Sequence, residues 1–269
     1  MADSRLDSAL AEAGLARSRT HAAALITAGA VRVDGRPVVK PSFRVAEGAR
    51  LDVDAPDHYV SRAAHKLIAA LDGFGVDPAG RVALDAGAST GGFSQVLLER
   101  GARAVLAVDV GHGQLAPEVA DAPGLVAVEG CNVRELDAGR LAELTGVAER
   151  PTLVTADLSF ISLPTVLPAL RVTATDDADF VLLVKPQFEV GRGGVREGVV
   201  RDAALRSDAV MGVLWAAFDL GLRTAGVLSS PIAGTHGNHE YLVHLSESAA
   251  ADPSEWMDRV EQLTGGAHA

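Results

Sequence analysis

Arg81-Val-Ala-Leu-Asp-Ala-Gly-Ala-Ser-Thr-Gly-Gly-Phe93 decides how the rest of the chain is read. Val82, Ala83 and Leu84 are a short apolar run that stops at Asp85, and Gly87, Gly91 and Gly92 follow. Phe93, Val96 and Leu97 then resume with helical spacing. Strand, glycine turn and helix are the opening unit of a doubly wound α/β sheet, whose ligands lie outside the carboxyl ends of the strands. A dinucleotide site requires G-x-G-x-x-G with the phosphates on the helix N-terminus. The spacing from Gly87 does not supply it, which disfavours a nicotinamide oxidoreductase. A carboxylate at the strand end, Asp85, suits a cationic ligand instead, such as the sulfonium and amino group of S-adenosylmethionine. The competing reading is a glycine turn that only connects strand to helix.

Working outward, Ala104–Asp109 is a second strand ending in an acid, 22 residues beyond Gly87, where such folds place a carboxylate against ribose hydroxyls. Leu125–Val128 is a third strand, followed by Asn132, an amide to face an adenine. Thr152–Asp157 is the fourth, and Phe180–Lys185 the fifth, stopping before Pro186. Residues 191–198 read as a basic, glycine-rich loop suited to substrate access. A helix is expected from Arg201 to Leu220 with Val210, Val213, Leu214 and Ala217 buried, then two late strands at 225–230 and 241–245 paired as a hairpin. Asp252 onward reads as a terminal helix. Upstream, Ser61–Leu71 is a helix whose buried face is Ala64, Leu67, Ile68 and Leu71, which puts Lys66 off that face.

Of 24 basic residues only Lys40, Lys66 and Lys185 are lysine. A chain that otherwise uses arginine, yet keeps lysine at a buried strand end, points to a base able to lose its proton, which arginine cannot do. Lys66, Asp157, Lys185 and Glu240 are therefore the candidate catalytic residues, with a plain Lys185–Asp157 salt bridge closing the sheet edge as the alternative. A base N-methyltransferase would carry Asn/Asp-Pro-Pro-aromatic after the fourth strand. Asp157-Leu-Ser-Phe160 stands there instead and favours an oxygen acceptor.

The 269 residues, 48% hydrophobic, suffice for one α/β domain and a small appendage. Cys131 is the single cysteine, so an intrachain disulfide and a zinc cluster are excluded. A charged N-terminus and the lack of any run near the ~18 apolar residues of a membrane span lead to the expectation of a soluble, cytoplasmic protein. Net charge is −11, but residues 1–50 hold eight arginines and lysines against five acids, so they carry +3 and the remainder −14. A basic head on an acidic body is expected to meet a polyanion.

That head reads as two helices, the second capped by Ser18, and a small sheet. Leu6, Leu10 and Ala13 line one helix, Ala22, Ala23, Leu25 and Ile26 the other, and Asp34-Gly35 turns a hairpin. Gly14-Leu-Ala-Arg-Ser-Arg19 and Val31-Arg-Val-Asp-Gly35 resemble the S4 RNA-binding domain, with Arg17 and Arg19 at a helix start able to hold phosphates.

The Lys…Asp…Lys…Glu order resembles the ribose 2′-O-methyltransferases of the FtsJ type, through Ser61-Arg-Ala-Ala-His-Lys-Leu67, Asp85–Phe93 and Leu182-Leu-Val-Lys-Pro-Gln-Phe188. With the S4-like head in front, and with Ala156–Leu163 and Gly237-Asn-His-Glu-Tyr241, the chain is similar throughout to the TlyA family of rRNA cytidine 2′-O-methyltransferases. The resemblance implies a Rossmann-like methyltransferase sheet, with an S4 domain over 1–54, a linker over 55–60 and the methyltransferase over 61–269. It implies a tetrad of Lys66, Asp157, Lys185 and Glu240, and S-adenosylmethionine held by Asp85, Gly87, Ala88, Ser89, Thr90, Gly91, Gly92, Phe93, Asp109 and Asn132. Ribosomal RNA would be met by Arg5, Arg17, Arg19, Lys40 and Arg62. No metal and no membrane are expected, and the chain is read as a monomer. Lys185 with Asp157 would orient the hydroxyl and take its proton, Lys66 would steady the oxyanion, and Glu240 would hold a lysine or a ribose hydroxyl. The competing class is a non-catalytic, RNA-binding ribosome assembly factor on a methyltransferase fold.

Overall fold

Two-residue alternation with apolar side chains on both faces makes the strands of the main sheet. In the computed structural model, which describes residues 4–16, 18–27, 29–46, 48–53, 58–191, 194–195, 197–234, 237–249 and 251–265, the chain divides into units Met1–His58 and Tyr59–Ala269. The first unit holds β1 (Ser4–Arg5), α1 (Leu6–Glu12), α2 (Arg19–Thr27), β2 (Val31–Val33), β3 (Arg36–Pro37), β4 (Arg44–Val45) and β5 (Leu51–Val53). Strand β2 lies between β3 and β5, and β1 pairs with β4. Leu6, Leu10, Ala22, Ile26, Val31 and Val45 form its core. Ser18 Oγ accepts the His21 amide at 3.1 Å, the cap expected for α2. Asp34 and Gly35 take φ of +50° and +77°, the mirror-turn geometry that Asp-Gly favours. Ala13, expected inside, is exposed because α1 ends at Glu12.

The second unit runs α3 (Ala64–Phe74), β6 (Val82–Ala86), α4 (Gly92–Glu99), β7 (Ala104–Val108), α5 (Pro117–Ala120), β8 (Leu125–Val128), α6 (Ala138–Thr145), β9 (Leu153–Ala156), α7 (Leu163–Thr173), β10 (Asp179–Val184), α8 (Pro186–Glu189), α9 (Ala203–Phe218), β11 (Arg223–Ser229), β12 (Tyr241–Ser246) and α10 (Met257–Thr264). Sheet order is β11-β12-β10-β9-β6-β7-β8. Strands β6 to β10 are parallel, while β12 runs against β10 and β11 against β12. The late hairpin is as expected, and α9 is shorter than the expected helix by two residues at each end.

Val82, Leu84 and Ala86 of β6, with Phe180, Leu182 and Val184 of β10, pack on the face covered by α7 and α9. Ala83, Val181 and Leu183 face α3 and α4. Burial on both sides is why these strands read as unbroken apolar runs. From β6 the chain moves outward to β7 and β8, then returns past β6 to β9. That reversal opens a crevice at the carboxyl ends of β6, β7 and β9, the switch point where doubly wound sheets bind ligands.

Candidate active site

The turn after β6 is held open by backbone geometry and pinned to its neighbours. Gly87, at φ +83°, and Ala88 both donate to the Val108 carbonyl, at 2.8 and 3.2 Å. Gly91, at φ +94°, is the N-cap of α4. Ser89, at φ +48°, donates its amide to Asp109 Oδ2 at 2.8 Å, and Asp109 Oδ1 accepts from the Gly111 amide at 2.7 Å. Each Asp109 oxygen keeps a lone pair for a hydroxyl.

Asp85 corrects an expectation. Its carboxylate was to stand beside a cationic ligand, but the side chain is fully buried beneath the turn and lines neither cavity described below. Strand parity turns it inward, where Ser94 Oγ donates to Oδ2 at 2.6 Å and Thr155 Oγ1 to Oδ1 at 3.2 Å. Burial pushes its pKa up to about 6, while those two hydroxyls pull the other way.

Two cavities meet over the turn. One, of about 410 Å³, takes in Asp109, Asn132 and the apolar side chains of Val110, Leu158, Phe160 and Ile161. The other, of about 150 Å³, is walled by Gly87 through Thr90, Gly92 and Phe93, by Ser61 and Ala63 before α3, and by Asp157, Ser159 and Lys185. Gly87, Ser89, Asp157 and Ser159 belong to both. Asn132 Oδ1 accepts the Arg134 amide at 3.1 Å, which fixes the amide plane at the cavity wall. Gly91 lines neither cavity, and a Cβ there would come within 2.7 Å of Val119 Cγ1 and 3.0 Å of Leu115 Cδ2. An apolar slot with an acid and an amide at one end fits a nucleoside, and the smaller glycine-walled space beside it fits a short polar chain.

Two lysine–carboxylate pairs stand at the neighbouring strand ends. Lys185 Nζ lies 2.6 Å from Asp157 Oδ1 as an ion pair and donates a directed hydrogen bond to Ser159 Oγ at 3.0 Å. Asp157 Oδ1 is buried, and the Lys185 ammonium beside it supplies its counter-charge. Lys66 Nζ donates to Glu240 Oε2 at 2.6 Å, with both side chains buried. Helical spacing had put Lys66 off the buried face of α3, but it is buried because Glu240, from the start of β12, supplies its counter-charge. Val184 pairs with Tyr241, so Lys185 and Glu240 leave β10 and β12 side by side one residue further on. Lys66 and Glu240 line neither of the two cavities.

The family model for FtsJ-like methyltransferase matches residues 59–247, and that for the S4 domain matches residues 4–51. The chain belongs to the FtsJ-like methyltransferases. It is 51% identical over 244 residues to a Mycobacterium tuberculosis protein named 16S/23S rRNA (cytidine-2′-O)-methyltransferase TlyA, covering 90% of this chain and 89% of the relative. A Campylobacter jejuni protein named 23S rRNA (cytidine-2′-O)-methyltransferase TlyA is 35% identical over 202 residues, or 74% of this chain and 75% of the relative. The solved structure of a hemolysin-named protein from Streptococcus thermophilus aligns with a TM-score of 0.74 at 34% identity, covering 99% of this chain and 97% of that one. Among the described residues no helix is long and apolar enough to cross a membrane, and no cluster of three His, Cys, Asp or Glu is placed to hold a metal.

Two residues of the cavity walls carry no expectation from sequence. Ser159 as the partner of Lys185 is one, and Phe160 is another. Phe160 is 90% exposed and its φ of +63° is unusual for a bulky side chain. Its ring lies 5.1 Å from that of Phe188. An exposed aromatic right after a strand-end acid was the available signal. Among the basic residues, Arg5 is bidentate to Asp7 at 3.1 and 2.7 Å, and Arg19 lies 3.7 Å from the same carboxylate. Lys40 and Arg62 are exposed. Arg17 lies outside the described residues, as do 54–57 of the expected linker and Arg192, Gly193 and Arg196 of the expected access loop.

Proposed function

We propose that this chain transfers a methyl group from S-adenosylmethionine to the ribose 2′-hydroxyl of a cytidine in ribosomal RNA. The observation that carries this reading is the Lys185–Asp157 ion pair, 2.6 Å apart, on the wall of a glycine-lined cavity. The substrate class comes from the relatives, both of which are named for cytidine 2′-O-methylation of rRNA.

The residues fit the donor. Asp109 can accept from ribose hydroxyls, and Asn132 stands at the apolar slot for adenine. The glycine-walled space takes the methionine part. When bound, S-adenosylmethionine supplies an electrophilic methyl on a sulfonium sulfur. The chain's own work is at the acceptor oxygen. The Asp157 carboxylate accepts the hydrogen of the ribose hydroxyl, and Lys185 Nζ, 2.6 Å from its Oδ1, fixes that carboxylate. The hydroxyl proton passes to the Asp157 carboxylate late in the transfer, as the oxygen takes the methyl group. Lys66 and Glu240 form a buried pair outside both cavities, and Glu240 sits beside Lys185 at the β10–β12 register, which ties the two lysine–carboxylate pairs together. Holding donor and acceptor in line supplies much of the acceleration.

Unmodified ribosomal subunits incubated with labelled methyl donor test this directly. Label is expected in a cytidine ribose, and Lys185→Ala is expected to lose about 10²–10⁴-fold in rate while still binding donor by calorimetry. Normal turnover in that variant removes the proposed role. Absence of label from wild type favours the assembly-factor reading.

A further inference from the structure

The loop after β9 and the turn after β10 carry the two members of the Asp157–Lys185 pair, and something must set their separation. Three contacts join these segments in step. Lys185 Nζ donates to Ser159 Oγ at 3.0 Å. The Phe160 and Phe188 rings lie 5.1 Å apart. Glu189 accepts twice, from Ser162 Oγ at Oε2 (2.6 Å) and from the Leu163 amide at Oε1 (2.9 Å).

The third contact is unlike the others. Ser162 is the N-cap residue of α7, yet its side chain makes no capping bond to its own helix. Leu163 N is one of the amides that a helix start leaves without a partner. A carboxylate from a different element, the last residue of α8, meets that amide and reorients the Ser162 hydroxyl toward itself. Negative charge is favourable at this end of an 11-residue helix. Burial raises the pKa of Glu189, and the Leu163 amide and Ser162 hydroxyl oppose that rise. Two residues upstream, Phe160 holds a left-handed backbone, a conformation that persists only where its surroundings over-determine it.

We propose that Glu189 is a positioning residue: its carboxylate braces the Asp157-bearing loop against the Lys185-bearing turn and so sets the reach between the two. Its role in turnover rests on the methyl-transfer reading above. The brace itself does not.

Glu189→Ala and Glu189→Gln in the full chain test it, with two independent readouts. Amide hydrogen exchange over residues 158–163 reads the brace, and steady-state methylation of ribosomal subunits reads the positioning. In Glu189→Ala, exchange in that segment is expected to rise and kcat to fall about 10²-fold, the scale of a 1 Å misplacement, with KM for RNA little changed. In Glu189→Gln both effects are expected to be largely reversed, because the amide keeps an acceptor for Leu163 N and offers a donor to Ser162 Oγ. Unchanged exchange in Glu189→Ala overturns the brace. Raised exchange with kcat intact, or a lower melting temperature alone, makes Glu189 an ordinary helix cap and overturns the positioning role. A wild-type chain that methylates no ribosomal RNA overturns the functional reading instead, and the exchange readout still decides the brace.

Discussion

Two buried carboxyls are driven in opposite directions by their neighbours. Asp85 meets no cation, only two hydroxyls, and burial lifts its pKa from 3.8 to about 6. Asp7 accepts both bonds of the Arg5 fork, which holds its pKa down at about 2. The linkage signs therefore differ. The native chain binds a proton at Asp85 that the unfolded chain has lost, so stability falls as pH rises from about 4 to 6 and stays lower above that window. Asp7 contributes stability above about pH 4, and this is lost as pH falls toward 2. Asp85→Asn is accordingly expected to melt higher than wild type at pH 8, by several degrees for a difference of about 3 kcal/mol. The two melting curves should converge near pH 4. The amide still offers an oxygen to Ser94 and a donor to Thr155. Calorimetric melts between pH 4 and 8 decide it. A lower melting temperature for the variant at pH 8 means the ionised carboxylate is itself needed under the turn.

At the scale of elements, the glycine turn joins fold to site. A Cβ on Gly87 would come within 2.9 Å of Leu158 Cδ2 and 3.2 Å of the Asp157 carbonyl oxygen, at φ +83°. Gly146, which ends α6, has φ +70° but open space around it. Both alanine substitutions therefore incur the left-handed backbone cost, roughly 1–2 kcal/mol. Gly87→Ala must in addition displace the loop behind Asp157. It is expected to weaken S-adenosylmethionine binding at least tenfold, with Gly146→Ala leaving affinity unchanged. Equal affinities by calorimetric titration would count against the turn as the ligand's seat. The same turn shows what could be read in advance. Apolar runs stopping at Asp109, Asp157 and Lys185 mark the strand ends, since a sheet buried on both faces holds charge inside only where hydroxyls meet it, as Ser94 and Thr155 meet Asp85. The inward aim of Asp85 is legible from its parity with Ala83, whereas its charge alone points outward to a ligand. Burial of Lys66 could not be read from helical spacing, because its partner Glu240 lies 174 residues away. The β1–β4 pairing left no trace in sequence, as two-residue strands are too short to show alternation.

For the whole molecule, charge separates binding from chemistry. Residues 1–50 carry +3 on a chain of net −11, so attraction to an RNA backbone rests on the first unit, while Lys66, Asp157, Lys185 and Glu240 lie in the second. Arg19 is 62% exposed at its side chain and only 3.7 Å from Asp7, close enough to be steered by that carboxylate yet open to a phosphate. Arg17→Glu with Arg19→Glu is therefore expected to raise KM for ribosomal RNA and leave kcat at saturating RNA unaltered. Each phosphate that the variant no longer neutralises should flatten the slope of log affinity against log salt by roughly 0.7 to 0.9. Binding measured across a salt series, beside turnover at saturating RNA, separates the outcomes. An unchanged slope would mean that these arginines serve Asp7 and the first unit's own stability. A fall in kcat would mean that the first unit shapes the reacting geometry as well as gripping the substrate.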